Sequence, residues 1–416
     1  MLLLTVALAL YAAVALAYWL WNLYAAVRVR RDVPSLDAFA PPAGASLPRL
    51  SVVVAACNEA GAIEAAARTL LAQDYPDLEI ILVDDRSTDA TAAIIDRLAA
   101  EDDRVRALHV TALPEGWLGK VHALDRGTAE ATGAYLLFTD ADVHFAADAL
   151  RRAVALCEAR GLDHLAALPA CWSAGLLVDA VVAAFLRPFV AMMRPWAVAD
   201  PNSRAFLGVG AFNLVRRSAF ERTPGFAWLR METADDAGLG LLMKASGARC
   251  GVAAAFGRVG LTWYTSLGDA ARGAEKAFAS VGGCRLGPML VGAAGTLAME
   301  IAPLAAVVLA VVLPTHPAAW ALAAVVPVSA AANILMARWA RGRVIPALLG
   351  PLAAPISAAA FVRAGLLGWR RGGVMWRGTL YPSEAIRAGR RVTLPPPKRL
   401  PEVTCDQEHA PDKSGG

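Results

Sequence analysis

The run YLLFTDADV, Tyr135 to Val143, ends a strand-like stretch with two aspartates one alanine apart, Asp140 and Asp142. Carboxylates at i and i+2 just past a strand reach one small volume if the chain turns there. Such oxygen donors suit a divalent cation, Mg2+ or Mn2+. Magnesium commonly takes one or two protein carboxylates and completes its shell with phosphates and water. The competing reading makes the pair caps for a helix starting near Ala146.

Other candidates surround this pair. VDDRSTDAT holds Asp84, Asp85, Ser87 and Asp89; Asp89 suits the cap of a helix opening near Thr91. Asp85, nearer the strand end, is placed to accept hydrogen bonds from a base edge or ribose. Lys120, in PEGWLGKVHAL, opens a helix as a lone lysine that a phosphate-rich ligand would pair. ETADDAGLGLLMKASG puts Glu232, Asp235 and Asp236 at a helix start, where acids complement the macrodipole. The same cluster can supply a general base if it lies within hydrogen-bond reach of the proton removed. His144, two residues past the aspartate pair, reads as a loop histidine or as a further group near the cation.

These residues need a scaffold. LSVVVAA, LEIILVDD, Val105 to Val110 and YLLFT read as strands, alternating with helices through GAIEAAARTLLAQ, TAAIIDRLAA and about Lys120 to Ala131. The pattern predicts an α/β class with a mostly parallel sheet and helices on both faces. Ligands of such sheets sit beyond the carboxyl ends of the strands, where Asn58, Glu59, Asp85 and Asp140 all fall. Neither GxGxxG nor GxxxxGK[ST] is present, which argues against a dinucleotide or P-loop site.

Of 416 residues, 57% are hydrophobic and 18% charged, too apolar for an ordinary soluble protein. Residues 1–27 carry no charge and exceed the roughly 20 residues that cross a bilayer. Arg28, Arg30 and Arg31 follow them, so an uncleaved transmembrane anchor is expected with the next domain cytoplasmic. Residues 28–49 read as a linker and 50–287 as the catalytic domain. Within it, Leu176 to Trp196 is interrupted by Asp179, Arg187 and Pro188 and reads as an interfacial helix. Residues 288–369 read as a membrane region with spans at Pro288 to Leu313 and Pro317 to Ala337. A third, proline-interrupted segment, Val344 to Leu367, either spans or, as the basic residues after it favour, forms a kinked or re-entrant hairpin. Glu300, alone in the first of these spans, is either functional or turned to the protein interior. Residues 370–393 form a basic interfacial segment, and 394–416 are expected to be disordered. Six cysteines without a CxxC pair indicate neither zinc nor a disulfide framework. A net charge of +4 without a basic run excludes a nucleic-acid surface and suits contact with anionic lipid.

Six motifs occur in order: VVVAACNEA, ILVDDRSTDAT, GWLGKVHALDRG, TGAYLLFTDADV, GVGAFNLVRRSAF and ADDAGLGLLMKASG. Together, over roughly Leu50 to Gly268, they resemble the family 2 glycosyltransferases, built on the GT-A nucleotide-diphospho-sugar transferase domain. The resemblance implies that Asn58, Glu59, Asp85, Lys120 and Asp140 bind the donor. It implies that Asp140 and Asp142 form the DxD element, with Asp142 the main metal contact. Asp236 matches the family's proton-removing aspartate, and Asp235 stands where glutamate is usual. The implied reaction is direct displacement with inversion. The flanking membrane segments, DPNSRAFLGVGAFNLVRRSAF and WRGTLY resemble a bacterial subset associated with carotenoid and hopanoid lipids. The QxxRW element is absent, since the only glutamines are Gln73 and Gln407, which disfavours a polymerising enzyme. Trp376, Arg377 and Tyr381 then cover the site from the membrane side or anchor the chain at the interface. The expected partners are a nucleotide sugar, UDP-glucose by default, a lipid or lipophilic hydroxyl acceptor, and the inner membrane of a bacterium. A polyprenyl-phosphate acceptor and a non-catalytic nucleotide-sugar-binding scaffold are the alternatives.

Overall fold

The structure, a computed structural model, describes residues 2–40, 46–280, 282–393 and 395–397. The tail expected to be disordered lies outside these apart from 395–397. The chain opens with α1 (Leu2–Asp32). This helix runs past the uncharged stretch because arginine is a good helix former and Arg28 bonds Asp32 one turn on, so the expected linker starts later than residue 28.

Next come β1 (Leu50–Ala56), α2 (Ile63–Leu71), β2 (Leu78–Asp85), α3 (Thr91–Glu101), β3 (Val105–Val110), α4 (Gly119–Glu130) and β4 (Tyr135–Asp140). They are followed by β5 (His144–Phe145), α5 (Ala149–Arg160), β6 (His164–Leu168), β7 (Ala170–Cys171) and the apolar α6 (Leu176–Met193). The domain continues through β8 (Asn213–Arg216), α7 (Arg217–Phe220), α8 (Gly225–Trp228), α9 (Asp235–Ala245), β9 (Cys250–Ala254), β10 (Val259–Leu261) and α10 (Leu267–Ser280).

The main sheet has the order β3-β2-β1-β4-β8-β6-β9, parallel except where β8 runs between β4 and β6. Side chains alternate across it. Val53, Ile81 and Val83 join a core with Val121 and Leu124 of α4, whereas Val52, Val54, Ile80 and Leu82 join a second core with Ile63, Ile95 and Leu150. Each fully buried aliphatic contributes about 1.5–3 kcal/mol, which explains strands that are apolar on both faces. The register pairs Ala56 with Asp84 and Ala55 with Asp140, so the carboxyl ends of β1, β2 and β4 share one rim. A small sheet of β5, β10 and β7 flanks that rim.

The carboxyl-terminal part contains α11 (Leu286–Glu300), α12 (Ala302–Val312), α13 (Pro317–Ala323), α14 (Val325–Trp339), α15 (Val344–Leu348) and α16 (Gly350–Arg371). After α16 come the hairpin of β11 (Gly373–Trp376) and β12 (Thr379–Pro382), then α17 (Ser383–Gly389). Among the described residues four helices are long and apolar enough to cross a membrane: Thr5–Asp32, Leu176–Ala197, Ala319–Trp339 and Gly350–Arg371.

The span expected at Pro288 to Leu313 is not one straight helix, because α11 and α12 meet at 52°. Pro303, at the start of α12, has no N–H and frees the carbonyls before it. Two of the preceding carbonyls find donors on α1: the Tyr11 hydroxyl donates to Ala298 O at 2.7 Å and the Trp19 indole to Met299 O at 3.1 Å. Glu300 is buried at this break, paired with the guanidinium of Arg187 on α6 and accepting from the Tyr18 hydroxyl at 2.9 Å. It therefore faces the protein interior. The third segment is interrupted at Leu349 between α15 and α16, and α16 continues through Pro355 to Arg371.

Candidate functional site

A cavity of about 230 Å³ opens beyond the carboxyl ends of β1, β2 and β4. Glu59, Asp85, Arg86, Lys120, Asp140 and Asp142 line it from the sheet side, and Trp263, Lys276, Trp376, Arg377 and Tyr381 from the opposite side. A smaller recess sharing Lys120 and Asp140 leads to Asp235 and Asp236. Of the side chains expected to bind the donor or the metal, to act as the base or to cover the site, all but one gather here. Asn58 is not among the cavity residues. It sits at φ +56°, which asparagine tolerates, and its Oδ1 accepts from the Thr88 N–H at 2.8 Å, so it shapes the loop beside the cavity rather than lining it.

Asp140 and Asp142 do not cap a helix. β5 intervenes and α5 starts only at Ala149, too far along the chain for either carboxylate to reach its first N–H groups. Asp140 is held by Lys120 at 2.6 Å. Asp142 joins no ion pair among the described residues, and burial, then the charges of Asp140 and Glu59, push its carboxyl up to about 6. Negative charge that protein cations leave uncompensated fits a divalent cation. Asp142 and Asp140 could hold such an ion with the one or two carboxylates that magnesium or manganese takes, while no cluster of three or more ligating side chains forms a closed cage among the described residues. His144 does not line the cavity: its ring packs on Trp172 at 5.1 Å and its Nδ1 lies 3.2 Å from the Asp142 carbonyl.

The two aspartates of α9 have different surroundings. Asp235 is buried between Lys120, at 3.1 Å, and Lys276 of α10, at 3.4 Å. Burial alone would raise its pKa, but the two ammonium groups outweigh burial and hold it below the usual carboxylate range. For Lys120 the same competition has the opposite reading: burial favours the neutral amine, yet Asp140, Asp235 and Asp236 keep it charged. Asp236 has no cation in direct contact among the described residues. Burial, and then the charge of Asp235, raise its carboxyl above the usual range. Asp235 is thus a fixed counter-ion, whereas Asp236 is tuned toward accepting a proton.

The backbone aims Asp236. Gly210 N–H donates to its Oδ2 at 3.0 Å and Ala237 N–H to its Oδ1 at 2.8 Å. Gly210 must lack a side chain, since a Cβ there would lie 2.6 Å from Asp140 Oδ2. Behind it, Asn213 donates to the Asp236 carbonyl at 3.1 Å while its own Oδ1 faces His164 Nε2 at 2.7 Å. This order makes His164 the donor through Nε2 and leaves Nδ1 buried without a partner. Protonating Nδ1 would bury a charge, so the imidazole pKa falls to about 4.

A stability change with pH follows from His164. In the unfolded chain the imidazole takes up its proton near 6.5, in the folded protein only near 4, so the unfolded state binds more protons between these values. This contribution is complete above pH 6.5 and is lost as pH falls towards 4, amounting to about 3 kcal/mol. Apparent melting temperatures of the full chain in detergent should fall through that window. His164→Gln should remove this part of the slope; an unchanged slope would contradict the assignment.

The hairpin closes the opposite wall. Arg377, at its tip with φ +48°, pairs with Glu59 at 2.6 Å and donates to Cys57 O. The Tyr381 hydroxyl accepts from Gly119 N–H at 3.3 Å, at the start of α4. The Lys276 ammonium lies 4.5 Å over the Trp376 ring. Lys276 and Trp263 carried no sequence signal, because a lysine on an amphipathic helix and an isolated tryptophan look like surface and core.

Residues 51–222 match the sequence model of the family described as Glycosyl transferase family 2. A beta-monoglucosyldiacylglycerol synthase of Nostoc sp. is 37% identical over 113 residues, covering 27% of this chain and 24% of the relative. A GalNAc(5)-diNAcBac-PP-undecaprenol beta-1,3-glucosyltransferase of Campylobacter jejuni is 33% identical over 104 residues, 25% of this chain and 33% of the relative. The chain therefore matches only a quarter to a third of these relatives' length. Among solved structures, a mannosyltransferase from Pyrobaculum calidifontis in complex with GDP-Man and Mn2+ superposes with a TM-score of 0.50 at 21% identity. The match covers 88% of this chain and 98% of that one. By its fold and by these matches, the chain carries a family 2 glycosyltransferase domain on a GT-A-like α/β scaffold.

Proposed function

We propose that the protein is a membrane-bound glycosyltransferase that moves one sugar from a nucleotide sugar, UDP-glucose by default, to a lipid or lipophilic hydroxyl acceptor with inversion. The observation that carries this reading is a cavity lined by an uncompensated Asp142 and a charged Lys120, joined through Lys120 and Asp140 to the recess that holds the buried carboxylate of Asp236, in a chain with long apolar helices. Asp85 and Glu59 are at the nucleotide end, and Lys120 faces the phosphates. Mg2+ or Mn2+, held by Asp142 and Asp140, would supply charge neutralisation for the leaving diphosphate. Asp236 removes the proton of the acceptor hydroxyl as its oxygen attacks the anomeric carbon, and Asp235 keeps both lysines in place. The lipid-acting relatives support the acceptor class.

The proposed location is the inner membrane of a bacterium with the catalytic domain cytoplasmic, supported by the arginines that end α1. Residues before α11 and after α16 line one cavity, so any crossings between them must be even in number. The protein in lipid nanodiscs, given Mn2+ and a panel of nucleotide sugars, should release nucleoside diphosphate from at least one, and chelation should stop that release. If no nucleoside diphosphate binds, the reading fails.

A further inference from the structure

The cavity leaves on its membrane side along a row of aromatic rings. Trp263, in its wall, meets Phe185 of α6 edge-on at 5.6 Å, and Phe185 stacks on Phe189 at 5.7 Å. Phe185 is 38% exposed, and Leu176, Leu177 and Met192 are exposed on the same helix. An apolar surface thus runs from the helix into the reaction cavity without a charged residue among these rings.

The charges at the inner end restrict what can arrive there. Four cations line the cavity, and each is already engaged: Arg86 with Asp85 at 2.7 Å, Lys120 with Asp140 at 2.6 Å, Lys276 with Asp235 at 3.4 Å and Arg377 with Glu59 at 2.6 Å. A nucleoside diphosphate and a divalent cation bring charges that largely offset each other. An acceptor phosphate beside Asp235 and Asp236 would then find no unengaged cation among the described lining residues. A phosphate desolvated next to carboxylates without a partner is costly, whereas a hydroxyl needs only a proton acceptor.

We propose that Trp263, Phe185 and Phe189 form the binding track for the tail of an uncharged amphiphile whose hydroxyl reaches Asp236. This rests on the transferase reading above and goes further by fixing the acceptor's charge class and its entry route. Tail binding on aromatic faces contributes to acceptor affinity and leaves the donor end untouched.

The test uses the full chain in phosphatidylcholine nanodiscs with Mn2+ and the nucleotide sugar it hydrolyses best. Acceptors are diacylglycerol and a polyprenyl phosphate, supplied at equal mole fraction. Diacylglycerol should gain the sugar and accelerate nucleoside diphosphate release, while the lipid phosphate should be used at least tenfold more slowly. Trp263→Ala and Phe185→Ser should each raise the apparent KM for diacylglycerol about tenfold; Phe185→Ser, outside the cavity wall, should leave nucleoside diphosphate affinity within twofold, and Phe185→Tyr should restore the KM. Equal or faster use of the lipid phosphate would overturn the charge argument. An unchanged acceptor KM in both track variants, with donor binding intact, would overturn the track. Absence of any nucleoside diphosphate binding would instead overturn the transferase reading itself.

Discussion

Asp236→Asn is expected to lower kcat by about 10³-fold, within the usual contribution of a positioned general base. The substitution keeps the side chain's size but removes the proton acceptor. It also replaces one of the two oxygens that receive Gly210 and Ala237 N–H, so one of those donors loses its partner. The end of the cavity lined by Glu59 and Asp85 lies away from this change, across Lys120 and Asp140. Nucleoside diphosphate affinity should therefore stay within about threefold of the parent, on the same reasoning that only transition-state contacts are lost. The split between kcat and donor affinity separates a transferase from a scaffold that merely holds nucleotide sugars. A scaffold's function would be indifferent to the substitution, and undiminished transfer would remove Asp236 from the mechanism.

The second large effect lies away from the chemistry. Arg187 and Glu300 are each 1% exposed and pair across α6 and the break between α11 and α12. The Arg187 guanidinium also lies 4.1 Å from the Trp19 ring, so three elements meet at one charge pair. Removing one partner of a buried pair strands the other, at about 3–5 kcal/mol. Arg187→Leu and Glu300→Leu should each lower the apparent melting temperature sharply in detergent and in nanodiscs. The double variant should recover most of the loss, because no lone charge remains. Additive losses in the double variant would show that the pair's electrostatics are not the cause.

The contrast between these two sites explains how much could be read from the sequence. β1, β2 and β4 were legible because strands buried on both faces must be continuous apolar runs, and their common register delivers Glu59, Asp85 and Asp140 to one rim. The aspartate pair was legible for the same reason, since nothing apolar explains two carboxylates at the end of YLLFT. Asn58 misled because a polar residue at a strand end can serve the ligand or the loop, and only its backbone angle decides. Lys276 was invisible because its meaning comes from Asp235 in another helix. Arg187 and Glu300 were each conspicuous as charges in apolar runs, but 113 residues separate them and no periodicity links such a pair. The bend at Pro303 was missed because a proline near the middle of a long apolar segment kinks some helices and merely starts others.

The hairpin that closes the cavity has a consequence in time. Trp376, Arg377 and Tyr381 follow the last long apolar helix, whereas the sheet they cover is complete by Ala254. A ribosome therefore finishes the rim of Glu59, Asp85 and Asp140 well before it supplies the hairpin that faces it. During synthesis the domain can fold and still lack its enclosed chamber. Assembly of the chamber waits for α16 to emerge and dock, so on the proposed function turnover would start only once the last long apolar helix is in place.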